Sequence, residues 1–214
     1  MGDIEMKIER DWALLIVDVQ NDFCPGGALE VEHGDEIIPV INTMSNHFPL
    51  VVATKDWHPR GHVSFASSYP GKEAGEVIEA GGLQQVLWPE HCIAESNGAA
   101  FHPELDTRPV DMIQHKGLKK DLDSYSAFFE NDKSTPTGLE GYLKGLNVST
   151  LVVSGLATDV CVYFTALDGV RTGFMVYLLE DAVRGVDIPA GNLQSALDDM
   201  KDKGVVFISS TDLE

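Results

Sequence analysis

Basic residues are scarce in this 214-residue chain: 15 Lys and Arg face 34 Asp and Glu, a formal net charge of −19 at pH 7. A surface that acidic repels phosphate backbones and anionic headgroups, which excludes nucleic acid and membrane surfaces as partners. Long apolar runs are lacking as well. The early run WALLIV at 12–17 is far shorter than the ~20 residues that span a bilayer. The opening MGDIEMKIER carries charges where a secretory signal needs an apolar stretch. Cysteine occurs only at 24, 92 and 161; three cannot all pair with one another, and no C-x-x-C spacing suggests a structural zinc or a redox pair. A reducing, cytoplasmic home is the simplest expectation. Internal repeats and low-complexity tracts are absent, and 20 Gly with 10 Pro give no sign of long disorder.

What is present is a succession of short apolar segments, with 43% hydrophobic residues to fill a core. The length predicts one domain over 1–214, large enough to bury about 70% of its unfolded surface. Strands are predicted at 12–18, 49–56, 110–116, 149–155, 174–181 and 205–209, short and apolar throughout. Helices are predicted at 36–48, through Ile37, Ile38, Ile41, Met44 and Phe48, and at 137–146, through Leu139, Tyr142, Leu143 and Leu146. Two more are predicted at 159–171 and 190–203, the last closed by Lys201, Lys203 and Gly204. Asp35 is positioned to cap the first helix, and Pro39 is tolerable there only in the first turn. Apolar strands alternating with helices predict an α/β fold: a three-layer, six-stranded parallel sheet with helices on both faces. Residues 57–109 break the rhythm. That insertion has weak periodicity and holds four of the seven histidines, at 58, 62, 91 and 102, which favours function over a simple connection. Residues 117–136 break it on a smaller scale.

Open parallel sheets bind ligands outside the carboxyl ends of their strands. Those ends carry Asp18, Lys55-Asp56-Trp57-His58, His115-Lys116, the LATDVC segment with Cys161, and Glu180-Asp181. Each residue has a plainer reading: Asp18 as a loop cap, Lys116 as a solvated lysine, Cys161 as a small buried hydrophobe. Together they make a cysteine nucleophile with Asp18 as its base and Lys116 to hold the charge. Cys161 is also expected in the first turn of a helix, whose N-terminal partial charge favours a thiolate. Asp56 and His58 are two apart on an extended segment and so share a face; with His91 they form an oxygen/nitrogen set suited to Zn²⁺, Fe²⁺ or Mn²⁺. His62 is a candidate fourth ligand or a hydrogen-bonding neighbour of one. The plainer reading is of histidines that only hydrogen-bond within the loop. His33, His47 and His102 read as surface residues, Cys24 and Cys92 as buried free thiols.

The segments LLIVDVQNDFCPGGAL at 14–29, ATKDWHPRGHVSFAS at 53–67, VLWPEHC at 86–92, HKG at 115–117, DSYSAFF at 123–129 and GLATDVCV at 155–162 resemble, in order and over nearly the whole chain, the nicotinamidase branch of the isochorismatase-like cysteine hydrolases. DWHP with WPEHC is specific to the metal-bearing branch; Asp18, Lys116 and GLATDVC would mark only the superfamily. The resemblance implies a six-stranded parallel sheet, a catalytic triad of Asp18, Lys116 and Cys161, and one divalent metal, zinc first and iron or manganese as alternatives, on Asp56, His58 and His91. It implies aromatic walls from Phe23 and Trp88, joined by Tyr125, around a pyridine ring. Leu156 and Ala157 match a peptide bond that is cis in the family, which turns the Ala157 N–H toward an oxyanion also held by the Cys161 N–H. His62 matches a position that ligates in some members only.

The activity so implied is hydrolysis of nicotinamide to nicotinate and ammonia through a thioester on Cys161, with pyrazinamide accepted as a ring analogue. The small neutral substrate is then the partner, and the insertion at 57–109 could line a dimer contact or simply cover the site. The alternatives are a related amidohydrolase acting on a ureido or carbamoyl compound, which need not carry DWHP and WPEHC; isochorismatase proper, which the presence of Cys161 argues against; and a non-catalytic binding module, which has no use for a nucleophile beside a base.

Overall fold

The computed structural model describes residues 6–214; residues 1–5, half of the charged opening read against a signal sequence, lie outside the described residues. In chain order the elements are β1 (Trp12–Val17), α1 (Ile38–Ser45), β2 (Val51–Asp56), β3 (Val77–Ala80), β4 (Leu83–Val86) and β5 (Met112–Lys116). There follow α2 (Leu139–Gly145), β6 (Thr150–Leu156), α3 (Tyr163–Arg171), β7 (Met175–Arg184), α4 (Asn192–Asp202) and β8 (Val206–Ile208).

Six of these strands form one sheet in the order β5-β2-β1-β6-β7-β8, every pairing parallel. The chain runs outward from β1 to β2 and β5, then returns to the other side of β1 for β6, β7 and β8. The direction of winding therefore reverses between β1 and β6, and ligands of doubly wound sheets bind at that crevice. Strand alternation divides the core. Leu14 and Ile16 of β1 pack with Ile38, Ile41 and Met44 of α1 on one face. Ala13, Leu15 and Val17 pack on the other with Leu139 and Leu143 of α2, Ala166 of α3 and Met200 of α4. This is the three-layer parallel fold expected from the sequence.

Local details differ from the expectation. Asp35 does not cap α1: Gly34–Ile37 form a single 3-10 turn, and α1 begins at Ile38 with no side-chain cap and Pro39 in its first turn. β7 runs on to Arg184, past the predicted end at 181. The insertion contains an antiparallel hairpin, β3–β4, that periodicity did not predict, because its strands are only half buried and carry Glu79, Gln84 and Gln85. Its turn is Gly81-Gly82, both at positive φ, as a two-residue hairpin turn requires.

One glycine sets the crevice. Gly155 is paired with Val17 across β1 and β6 and has φ +111°; a Cβ there would collide with the Val17 backbone. Only glycine lets the two strands close up where they deliver Asp18 and the turn that carries Cys161.

Candidate active site

Asp18 follows β1 at φ +49° and is fully buried. Thr54 of β2 fixes it from both ends: the Asp18 N–H donates to Thr54 Oγ1 at 3.1 Å, and that hydroxyl donates to Asp18 Oδ1 at 2.6 Å. Lys116, at the end of β5, is 1% exposed, so the reading of a solvated strand-end lysine fails. Its register partner on β2 is Asp56, and Nζ pairs with Asp56 Oδ1. Nζ also stands 2.8 Å from Asp18 Oδ2, in an ion pair buried on both sides. Cys161 Sγ is 3.4 Å from Lys116 Nζ, and Asp18, Asp56 and Cys161 bring ligand atoms within 4.8 Å of one another. The ammonium of Lys116 is the cation of that cluster.

The electrostatics follow from two buried carboxylates sharing one buried ammonium. Burial raises the pKa of Asp18, and Lys116 only partly offsets it. Burial pulls Lys116 down, but Asp18 and Asp56 outweigh it and hold Lys116 well above its ordinary value. Cys161 lies in a π-type turn, Thr158–Val162, that opens α3. Its thiol is pushed well above the usual range, by burial first and then by Asp18 and Asp56 against Lys116. The thiolate-favouring effect expected from the helix terminus is thus outweighed. The resting group is a thiol beside an acceptor, suited to deprotonation during attack.

Asp56 continues the cluster into a second set. Burial would raise its pKa, but Lys116, His58 and His91 hold it below the usual carboxylate range. The Nδ1 of His58 is 3.1 Å from the Gly117 carbonyl and the Nδ1 of His91 is 2.8 Å from the Pro89 carbonyl. Each Nδ1–H donates to its carbonyl, which leaves both Nε2 lone pairs free; they lie 3.6 and 3.9 Å from Asp56 Oδ2. These gaps are too long for hydrogen bonds and suit three donors around an ion at bonds of about 2 Å. Asp56, His58 and His91 are all buried, with ligand atoms within 4.8 Å of one another. Burial and the neighbouring His58 push His91 down to about 4, whereas Asp56 outweighs burial at His58 and raises it; a cation would hold both as neutral imidazoles. His62 falls outside this set and groups instead with His58 and Asp123. It is fully buried, stacks on His58 at 4.2 Å and bonds Ser64 Oγ through Nδ1 at 2.7 Å.

A cavity of about 70 Å³ joins the two sets, lined among others by Phe23, Asp56, Trp88, His91, Tyr125, Ala157 and Cys161. At roughly 15 Å³ per water it has room for about five waters, the space of one small ring with a substituent. The Trp88 indole N–H donates to Tyr125 Oη at 3.1 Å, which ties two walls together, and the Phe23 ring lies 5.5 Å from His91. The Leu156–Ala157 peptide is cis. Ala157 lines the cavity, while the Leu156 side chain packs into the core. A larger open groove of about 780 Å³, beside Asn42, Glu104 and Arg108, gathers none of these groups.

Sequence reasoning missed several contributors. Leu29, Val31, Val160, Val186 and Ile188 complete the apolar lining. Gln20 clamps the end of β2: its Nε2 donates to the Asp56 carbonyl at 2.8 Å and its Oε1 accepts the Asp56 N–H at 2.8 Å. The one available signal was a glutamine two residues beyond a strand-end aspartate. Cys24 and Cys92 are buried free thiols, as expected; burial and Asp35 raise Cys24 to about 11. His33 and His47 are exposed and His102 is half buried. Among the described residues no helix is long and apolar enough to cross a membrane.

Comparison with known proteins places this geometry. Residues 12–212 match the isochorismatase domain model. A nicotinamidase from Acinetobacter baylyi is 44% identical over 213 residues, 100% of this chain and 99% of that protein. A solved nicotinamidase/pyrazinamidase from Acinetobacter baumannii superposes with a TM-score of 0.93 at 49% identity, over 95% of this chain and 98% of that one. A pyrazinamidase from Pyrococcus horikoshii solved with zinc superposes at 0.76 and 37% identity, over 93% of this chain and 99% of that one.

Proposed function

The chain belongs to the isochorismatase family, and from that premise we propose that it is a cysteine amidohydrolase that converts nicotinamide and water to nicotinate and ammonia. Pyrazinamide, a ring analogue of the same size, is its second substrate. The observation that carries the reading is one cavity lined at once by Cys161, by Asp56 and His91, and by the rings of Phe23, Trp88 and Tyr125. The full-length likeness to nicotinamidases supports the substrate class. The catalytic unit is one domain, whose insertion at 57–109 supplies His58 and His91.

Phe23 and Trp88 enclose the pyridine ring and exclude water. Asp18, buried beside the thiol, takes the Cys161 thiol proton as sulfur attacks the carboxamide carbon. The backbone N–H groups of Ala157 and Cys161 hold the oxyanion, a contribution on the order of 3 kcal/mol per donor. The proton on Asp18 passes to the amide nitrogen, the C–N bond breaks and ammonia leaves. The Cys161 thioester remains. A water then gives its proton to Asp18 and attacks the thioester, and sulfur departs, regaining the proton. Throughout, Lys116 keeps Asp18 and Asp56 from repelling one another. Asp56, His58 and His91 would hold a divalent cation, which would supply a Lewis acid for the ring nitrogen, and this donor set suits zinc, iron or manganese. What this chain's residues gain from it is orientation of the amide toward sulfur.

An ammonia assay tests the reading. The purified protein is expected to release ammonia from nicotinamide, and Cys161→Ala to release none while keeping its fold by circular dichroism. Undiminished release by Cys161→Ala, or faster turnover of a carbamoyl compound than of nicotinamide, contradicts it.

A further inference from the structure

Asp22 belongs to neither the triad nor the ligand set, yet two parts of the site meet on its carboxylate. Oδ2 accepts the Cys92 N–H at 2.7 Å, and Oδ1 accepts the Ala28 N–H at 3.3 Å. Cys92 directly follows His91 and stands at φ +44°, a conformation a non-glycine residue adopts only when held. The Cys92 carbonyl in turn accepts the His58 N–H at 2.9 Å. The two peptide groups flanking Cys92 therefore link Asp22 to both histidines. On its other side Asp22 directly precedes Phe23 in the cavity wall, and its own carbonyl accepts the Leu29 N–H at 2.9 Å.

The surrounding backbone is shaped around this carboxylate. The Asp22 N–H donates to the Gly98 carbonyl at 3.1 Å, and a Cβ on Gly98 would collide with the Asp22 carboxyl group. Residue 98 is thus confined to glycine by the side chain that passes over it. A bond from a backbone N–H to a charged oxygen is about twice as strong as one to a neutral acceptor, so the charge has a specific use here.

We propose that Asp22 is a positioning residue whose negative charge, acting through the backbone of Cys92, holds His58 and His91 at the separation that grips a cation. This rests on the reading of Asp56, His58 and His91 as ligands. Groups that orient metal ligands typically weaken metal affinity ten- to a hundredfold when removed.

The test is cobalt binding to protein stripped with a chelator, followed by its visible absorption, alongside kcat and KM for nicotinamide. Asp22→Ala is expected to bind Co²⁺ ten- to a hundredfold more weakly, and Asp22→Asn, which keeps an acceptor without the charge, a few-fold more weakly. KM is expected to rise more than kcat falls, because Asp18, Lys116 and Cys161 do not touch Asp22. A lower melting temperature with unchanged cobalt affinity would reduce Asp22 to a structural residue and overturn the proposal. Should Asp22→Ala fail to fold, Asp22→Asn decides alone, and wild-type affinity there overturns it. His91→Ala separates the two ideas: cobalt bound as well by His91→Ala as by the wild type, or none bound by either, overturns the ligand assignment itself.

Discussion

Lys116 holds an ammonium between two carboxylates and a thiol, buried from solvent. Removing it leaves Asp18 and Asp56 facing each other buried, and breaking a buried ion pair in this way typically destabilises by about 3–5 kcal/mol. Lys116→Met is therefore expected to lower the free energy of urea unfolding by about that amount and to abolish ammonia release; a loss below roughly 1 kcal/mol, the size of a surface pair, would show that water reaches the site. At this scale the sequence was informative where a polar residue ended an apolar run: Asp18, Asp56, Lys116 and Cys161 were each legible as strand-end groups. Thr54 and Gln20 were not. Inside or beside a strand such residues look merely tolerated, and only the fold shows that they bond Asp18 and Asp56. The upward push on the Cys161 thiol was not legible for a related reason: it comes first from burial, and burial cannot be read from spacing.

The elements deliver these residues through tight connections, and the turn after β5 is the most exacting. Gly117 has φ +65°, its carbonyl accepts from His58 Nδ1, and a Cβ on it would strike the His58 ring. Gly117→Ala is expected to destabilise the fold by about 1–2 kcal/mol through the left-handed backbone alone. It should also displace His58 and weaken cobalt uptake. An alanine variant with unchanged uptake would free His58 from that turn. Gly141 is the contrast: it lies exposed in α2 with nothing near its Cβ position. Gly141→Ala should stabilise by about 0.5–1 kcal/mol through helix propensity, read as a shift of the urea midpoint without loss of activity. Strands and helices with a full apolar face were legible from periodicity. The insertion was legible only as an irregular, histidine-rich stretch, because its order comes from hydrogen bonds between loops. One is the bond from Gln85 Nε2 to Asp123 Oδ2, at 2.9 Å, which ties β4 to the loop after β5.

Over the whole molecule, the accessible surface of 9968 Å² is close to the ~9,700 Å² expected of a compact chain of this length. On that surface the net charge of −19 meets a neutral substrate and an anionic product. Glu30 stands at the cavity mouth. Raising the salt shortens the reach of such charges, so the KM for nicotinamide should stay flat while inhibition by nicotinate strengthens; initial rates at low and high ionic strength check this, and salt-independent product inhibition would remove the surface charge from the account of release. The winding reversal between β1 and β6 explains why one edge of the sheet collects the chemistry, and the alternation of elements made that edge identifiable before any coordinate. The most direct measurement concerns the nucleophile. Enzyme quenched in acid during turnover of nicotinamide and mapped by mass spectrometry should carry a nicotinoyl thioester on Cys161. An adduct on Cys24 or Cys92 would contradict it.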